Sequence, residues 1–250
     1  FRSKKERSTK KVLQGVTAVI RSGEMYGLMG PSGAGKTTLL DVISHRLKQP
    51  AKRHGDVLYD SHRPTMSEVR RDASYVEQSD DVLSCMGHFT VFELVLFAAM
   101  CKLPHDKWTK EEKIQRVNQV LKQMSLDSAA NTVVGNPGVG LRGVSGGERK
   151  RVAISMGLLY NPRAIFLDEP TTGMDPVHKQ EAWAMIQRMK KDRIVVLTTH
   201  SMEEADILGD RVAVMSHGHI QALGTPLDLK RKFGVGFSMT VFLDKAKPNA

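Results

Sequence analysis

Nine consecutive residues, Gly30, Pro31, Ser32, Gly33, Ala34, Gly35, Lys36, Thr37 and Thr38, constrain this chain more than any other feature. Gly30 to Thr37 fit the pattern G-x-x-x-x-G-K-[ST]. They fall between an apolar run ending at Gly30, which reads as a strand, and a stretch from Lys36 that reads as a helix. Glycines at these positions let successive backbone N–H groups curl around phosphate oxygens. Lys36 would neutralise the β- and γ-phosphates, the Thr37 hydroxyl would ligate Mg²⁺, and the helix N-terminus adds its partial positive charge. The plain alternative, a Gly-rich turn without a ligand, is disfavoured by the strand–loop–helix setting. A nucleoside triphosphate with Mg²⁺ is the expected ligand.

Two further segments carry chemistry. Ala164-Ile165-Phe166-Leu167-Asp168-Glu169 is an apolar strand ending in two carboxylates. Downstream of a phosphate loop, Asp168 would hold Mg²⁺ and Glu169 would orient and polarise an attacking water; taken alone, the pair equally fits an N-cap. Val144-Ser145-Gly146-Gly147-Glu148-Arg149 places a hydroxyl and free amides directly before a helix, where they can face an anion. Its bland reading is an ordinary N-cap with Glu148 in the first turn.

The rest of the chain alternates. Strands are expected over Val12 to Ile20, Met25 to Gly30, Asp56 to Tyr59 and Ala73 to Glu77. The middle is helical, with Thr90 to Cys101, a second helix through Ile114, Val117, Leu121 and Met124, and a third from Gly146 to Tyr160. Then come strand Ala164 to Asp168, helix Pro176 to Lys191, strand Arg193 to Thr199, helix Ser201 to Leu208 and strand Arg211 to Met215. Alternating βα units imply a mainly parallel sheet, with ligands at the carboxyl ends of its strands.

Val144 to Arg149 resembles the signature motif of ABC ATPases, usually written LSGGQ. Other positions then fall in that family's order. Gln78 looks like the Q-loop glutamine, Asp175 in Gly173-Met174-Asp175 like the D-loop aspartate, and His200 like the switch histidine. The resemblance covers roughly residues 11 to 232. It implies catalytic roles for Glu169, His200, Gln78 and Lys36, nucleotide contacts for Gln78, Ser145, Gly146, Gly147 and Asp175, and metal contacts for Thr37, Gln78 and Asp168. Phe89-Thr90-Val91-Phe92-Glu93, Phe97-Ala98-Ala99 and Arg142 to Arg151 are closest to the eukaryotic G subfamily. Thr198 to Asp206 and Leu229 to Gly234 are similar to the A subfamily.

The fold so implied is an α/β P-loop NTPase of ABC type, with a parallel core, an antiparallel β-subdomain and a helical subdomain. Its expected parts are a basic arm (1–11), a first core segment (12–89), a helical subdomain with the signature (90–160), a second core segment (161–235) and a linker (236–250) toward a membrane domain. The resemblance further implies a head-to-tail dimer with a second ATPase domain. It also implies a transmembrane partner, a place on the cytoplasmic face of a membrane, and export of lipids, sterols or amphiphiles. Phe1 is the one aromatic at roughly the family's distance upstream for stacking on adenine.

Composition sets the remaining bounds. Hydrophobic residues make up 40% of 250 residues, enough for a full core without disulfides. Cys85 and Cys101 fit no metal or redox spacing, pointing to a reducing compartment. No apolar run reaches the roughly 18 residues of a membrane helix. The chain opens at Phe1 without an initiator Met, as expected of a domain from a longer polypeptide. Half of the net charge of +10 lies in the first eleven residues, where Arg2, Lys4, Lys5, Arg7, Lys10 and Lys11 face only Glu6; without interleaved aromatics this arm reads as a solvated tail, and no nucleic acid is expected. That charge is the one support for the rival reading, a soluble ABC ATPase of translation or DNA maintenance. His217-Gly218-His219 reads as a hairpin turn, not a metal pair, and Trp183 as core.

Overall fold

Short β-branched and apolar runs bounded by turn residues build one sheet of six strands: β1 (Met25–Met29), β2 (Ala73–Val76), β3 (Ala164–Asp168), β4 (Ile194–Thr199), β5 (Arg211–Ser216) and β6 (His219–Gly224). The computed structural model describes residues 11–47, 51–79, 81–191 and 193–234. The strand order is β2-β3-β4-β1-β5-β6; the first five are parallel to one another and β6 returns antiparallel to β5. Alternate side chains feed two cores. Met25, Ile165, Leu167, Val195 and Leu197 face a cluster shared with the helices of the middle segment, while Tyr26, Leu28, Phe166 and Val196 pack with Leu39 and Leu40 on the opposite face. Burial on both faces explains why these strands read as continuous apolar runs.

The helices are α1 (Lys36–Ile43), α2 (Met66–Asp72), α3 (Asp81–Cys85), α4 (Val91–Lys102), α5 (Lys110–Gln123), α6 (Gly146–Leu158), α7 (Pro176–Met189), α8 (Met202–Leu208) and α9 (Pro226–Phe233). Sequence chemistry starts most of them. Thr65 with Glu68, Thr90 with Glu93, Thr109 with Glu112 and Ser145 with Glu148 form capping boxes for α2, α4, α5 and α6. Each such cap is worth about 1 kcal/mol. In the helical layer α4 packs on α5 and α6, and α6 also touches β2 and α7.

Two expected strands are corrected. Residues 12–20 form no strand: Gly15 takes a left-handed φ of 60° that breaks the extended run, and Leu13, Val16 and Ile20 lean onto the smaller core instead. The expected strand at Asp56 to Tyr59 shrinks to a bridge between Tyr59 and His62, because Asp60 and Ser61 both turn left-handed at φ 47° and 68°. The antiparallel part of the described sheet is the β5–β6 ribbon. Its turn is His217-Gly218 at φ 48° and 78°, as the hairpin reading expects. The basic arm before Lys11, Phe1 and the expected linker lie outside the described residues.

Candidate functional site

Parallel strands end at one edge, so their carboxyl ends bring distant residues together. After β1 comes the loop Gly30 to Gly35 and the start of α1; after β2 comes Gln78; β3 ends in Asp168 and Glu169; β4 leads to His200.

The loop needs its glycines. A Cβ on Gly30 would sit 2.3 Å from the Met215 carbonyl oxygen, and Gly33 and Gly35 hold left-handed φ values of 77° and 100°. Gly35 starts α1 without a side-chain cap, and the first turn carries no acid. The other long helices satisfy this end with their own side chains; here no side chain of the helix start caps the first amides, the arrangement that receives an anion. Lys36 is 6% exposed. Its Nζ donates to the carbonyls of Gly30 at 2.9 Å and Pro31 at 3.2 Å and lies 3.9 Å from Glu169 Oε1. The cation is thereby held over the loop.

Asp168 is 5% exposed. Its Oδ1 accepts from Thr37 Oγ1 at 3.1 Å and from Thr198 Oγ1, and its Oδ2 lies 3.5 Å from the Tyr75 hydroxyl. Burial, reinforced by the Asp168 charge, pushes the Tyr75 phenol far above its ordinary range, so it stays a proton donor. Glu169 adopts a left-handed φ of 45°, an outlier for a non-glycine residue. Its Oε2 accepts from Gln78 Nε2 at 3.0 Å and Thr172 Oγ1 at 3.0 Å, and lies 3.5 Å from His200 Nδ1. Lys36, Thr37, Gln78, Asp168, Glu169 and His200, all singled out in the sequence, thus meet in one cluster. Thr198, Thr172 and Tyr75 are not among the residues singled out; the signal for Thr198 is a pair of hydroxyls, Thr198 and Thr199, closing an otherwise apolar strand.

The Thr37 hydroxyl and the Asp168 carboxylate, hard oxygen donors 3.1 Å apart at the mouth of the loop, fit the demands of Mg²⁺. Gln78 turns its amide nitrogen to Glu169, leaving its carbonyl oxygen as the atom that could serve a metal.

Ser145, Gly146, Gly147 and Asp175 form a second group. Ser145 Oγ donates to Glu148 Oε2 at 2.8 Å and accepts from the Glu148 N–H at 3.3 Å. A Cβ on Gly147 would lie 3.4 Å from His178 Cβ, so the start of α6 rests on the first turn of α7. Asp175 caps α7, and its hydrogen bond from His178 holds its carboxyl below the usual carboxylate range.

A family model described as ABC transporter matches residues 13–172. The chain belongs to the ABC transporter family. Among its relatives is ABC transporter A family member 9 of Arabidopsis thaliana, 36% identical over 246 residues, covering 95% of this chain and 24% of that protein. ABC transporter G family member 1 of Dictyostelium discoideum is 38% identical over 200 residues, covering 80% and 24%. The two subfamilies read from the sequence thus both recur among the relatives, and the chain spans about a quarter of their length. A solved ATP-binding cassette, a dimer in a post-hydrolysis state with ADP and Pi, superposes with a TM-score of 0.70 at 27% identity, covering 86% of this chain and 90% of that one. The ABC chain described here is an ATPase domain of that fold. No helix among its described residues is long and apolar enough to cross a membrane.

Both tryptophans pack with the larger core, Trp183 as its core reading expects. Trp183 is 5% exposed and donates from Nε1 to Glu204 Oε1 at 3.1 Å. Trp108 is partly buried against the larger core.

Proposed function

We propose that this chain binds and hydrolyses Mg-ATP to drive transport of lipids, sterols or amphiphilic molecules across a membrane. It would act from the cytoplasmic face, docked on a transmembrane domain and paired head to tail with a second ATPase domain. One observation carries the ATPase part: Lys36, Thr37, Gln78, Asp168, Glu169 and His200 converge around a capless helix start at the carboxyl edge of a parallel sheet. The head-to-tail pairing is supported by Ser145 and Gly147 lying in a separate group, with a dimeric cassette among the structural relatives. The cargo class rests on the G-subfamily resemblance of Phe89 to Glu93 and Arg142 to Arg151.

In this reading the Gly30 to Gly35 amides and Lys36 bind the phosphates, and Thr37 and Asp168 hold Mg²⁺. The metal would supply neutralisation of charge on the β- and γ-phosphates. Glu169 orients the attacking water and accepts its proton, while Gln78 and His200 hold the Glu169 carboxylate and the water in place. Ser145 and the amides of Gly146 and Gly147 would close on the γ-phosphate bound by a partner copy.

The test is Mg-dependent phosphate release by the purified chain, alongside Lys36→Ala. Wild-type release that stops with Lys36→Ala is the expected result. A mutant that binds radiolabelled ATP and turns it over at the wild-type rate would overturn the phosphate-loop assignment.

A further inference from the structure

Glu204 is a buried carboxylate outside both groups described above. It stands in α8, one turn beyond His200, and is 3% exposed. Its Oε1 accepts from Thr171 Oγ1 at 2.6 Å and from Trp183 Nε1 at 3.1 Å. Both donors are neutral, and both are themselves buried. Taking a carboxylate out of water costs free energy, and an apolar side chain of similar size would fill the space without that cost. Packing alone does not call for a glutamate at this place.

Its partners lead back to the hydrolytic cluster. Thr171 lies in the turn that follows Glu169. There the Thr172 N–H donates to the Glu169 carbonyl at 3.3 Å, the Met174 N–H to the Thr171 carbonyl at 3.2 Å, and the Thr172 hydroxyl to Glu169 Oε2 at 3.0 Å. On the other side, the Glu204 N–H donates to Ser201 Oγ at 3.3 Å and the Ser201 N–H to Thr199 Oγ1 at 2.9 Å. Glu204 thus joins the turn carrying Glu169 to the turn carrying His200, with Trp183 of α7 behind the junction. The His200 side chain is 60% exposed, 3.5 Å from Glu169 Oε2, so its place depends on the backbone beneath it.

We propose that Glu204 is a positioning residue for hydrolysis: by tying the first turns of α8 to the turn after β3, it sets His200 against Glu169. The inference rests on the ATPase reading above and adds to it a residue outside the phosphate loop and the carboxylate cluster. Its physical basis is that losing the acceptor strands the Thr171 hydroxyl and the Trp183 N–H inside the protein, so the two turns must shift apart to find other partners. A group that orients water acts only at hydrogen-bond distance, and a displacement of about 1 Å is enough to cost rate. The phosphate loop takes no part in the Glu204 junction, so nucleotide binding is spared.

Glu204→Leu removes the acceptor at similar volume, Glu204→Gln keeps an acceptor oxygen for both donors, and Thr171→Val removes one donor. Phosphate release measured over a range of Mg-ATP concentrations separates kcat from KM. In Glu204→Leu, kcat is expected to fall about tenfold while KM and the affinity for a fluorescent ATP analogue stay within about twofold. Thr171→Val loses about threefold in kcat, and Glu204→Gln stays within about twofold of wild type. Hydrogen exchange in Glu204→Leu speeds up at residues 170–174 and 200–204 and keeps its wild-type rate at 30–38.

A folded Glu204→Leu with wild-type kcat overturns the proposal, as does one whose kcat and ATP affinity fall together, the mark of a general loss of structure. Glu204→Gln as slow as Glu204→Leu overturns it too, because an acceptor oxygen should suffice. If Glu204→Leu does not fold, Thr171→Val decides: an unchanged kcat overturns the proposal. A wild type that releases no phosphate and gains no protection from Mg-ATP at Gly30 to Thr38 sinks the ATPase reading instead. Exchange in nucleotide-free Glu204→Leu then still reports on the junction, and unchanged rates at 170–174 and 200–204 show that Glu204 does not tie the two turns.

Discussion

The backbone N–H of Glu169 donates to Thr198 Oγ1 at 2.9 Å, and the same hydroxyl donates onward to Asp168 Oδ1. One buried hydroxyl thus pins both carboxylate residues and holds the left-handed turn at Glu169, whose strain is of order 1–3 kcal/mol. Thr198→Val keeps the shape and strands both partners, at a cost of about 1–3 kcal/mol. Thermal denaturation should register that loss, and turnover should drop about tenfold with it. Thr198→Ser should recover most of both; a valine variant as stable and active as wild type would remove Thr198 from this role.

Glu169→Gln preserves the size of the side chain and its reach to Gln78 and Thr172 but cannot take a proton from water. Phosphate release should slow by roughly 10²-fold or more while ATP still binds. ATP-bound dimers should then accumulate on size-exclusion chromatography. A variant that releases phosphate normally and stays monomeric would contradict the assignment.

The separation of Lys36 from Ser145 into two groups gives a mixing test. Lys36→Ala and Ser145→Arg each spoil both sites of a homodimer. Mixed one to one, half the random dimers carry one site with both residues intact, so about a quarter of wild-type turnover should return if sites act independently. ATP binding serves as a second readout. No rise in either, with exchange into mixed dimers demonstrated, would refute the head-to-tail homodimer.

Gly30→Ala should cost about 1–3 kcal/mol or more, because the new methyl meets the fixed Met215 carbonyl and not a side chain that can turn away. Gly33→Ala, with open space around its Cβ, meets only the backbone strain of its φ. Paired melting curves should rank Gly30→Ala as the more damaging; the reverse order would place the loop differently against β5.

Tyr59 donates to the Ile43 carbonyl at 3.0 Å, and burial pushes its phenol from 10.0 up to about 12. The folded chain keeps this proton where the unfolded chain releases it. The contribution is therefore complete below pH 10.0 and lost as pH rises toward about 12. Urea midpoints measured across that window should fall more steeply for wild type than for Tyr59→Phe; parallel curves would show that Tyr59 does not carry the alkaline limb.

Local chemistry was legible in the sequence wherever a single segment decides it. The loop Gly30 to Thr38, strand β3 with its terminal carboxylates and the capped start of α6 are set by glycine conformation, an apolar run and a capping box, all interactions within a few residues. α2, α4 and α5 carry the same local signal in Thr65 with Glu68, Thr90 with Glu93 and Thr109 with Glu112. Residues 12–20 misled because period and composition are alike for a paired and an unpaired extended run; pairing depends on a neighbour, and Gly15 decided against it. Resemblance singled out Gln78 and His200, but only the parallel alignment of four strand ends brings them to the Glu169 carboxylate. Thr198 acquires its role from register, since Asp168 sits opposite it across β3 and β4. Glu204 acquires its own from the turn after β3 and α7, which bring Thr171 and Trp183 to it. Such contacts join residues far apart in the chain, and no local pattern encodes a partner that the chain must fold to meet.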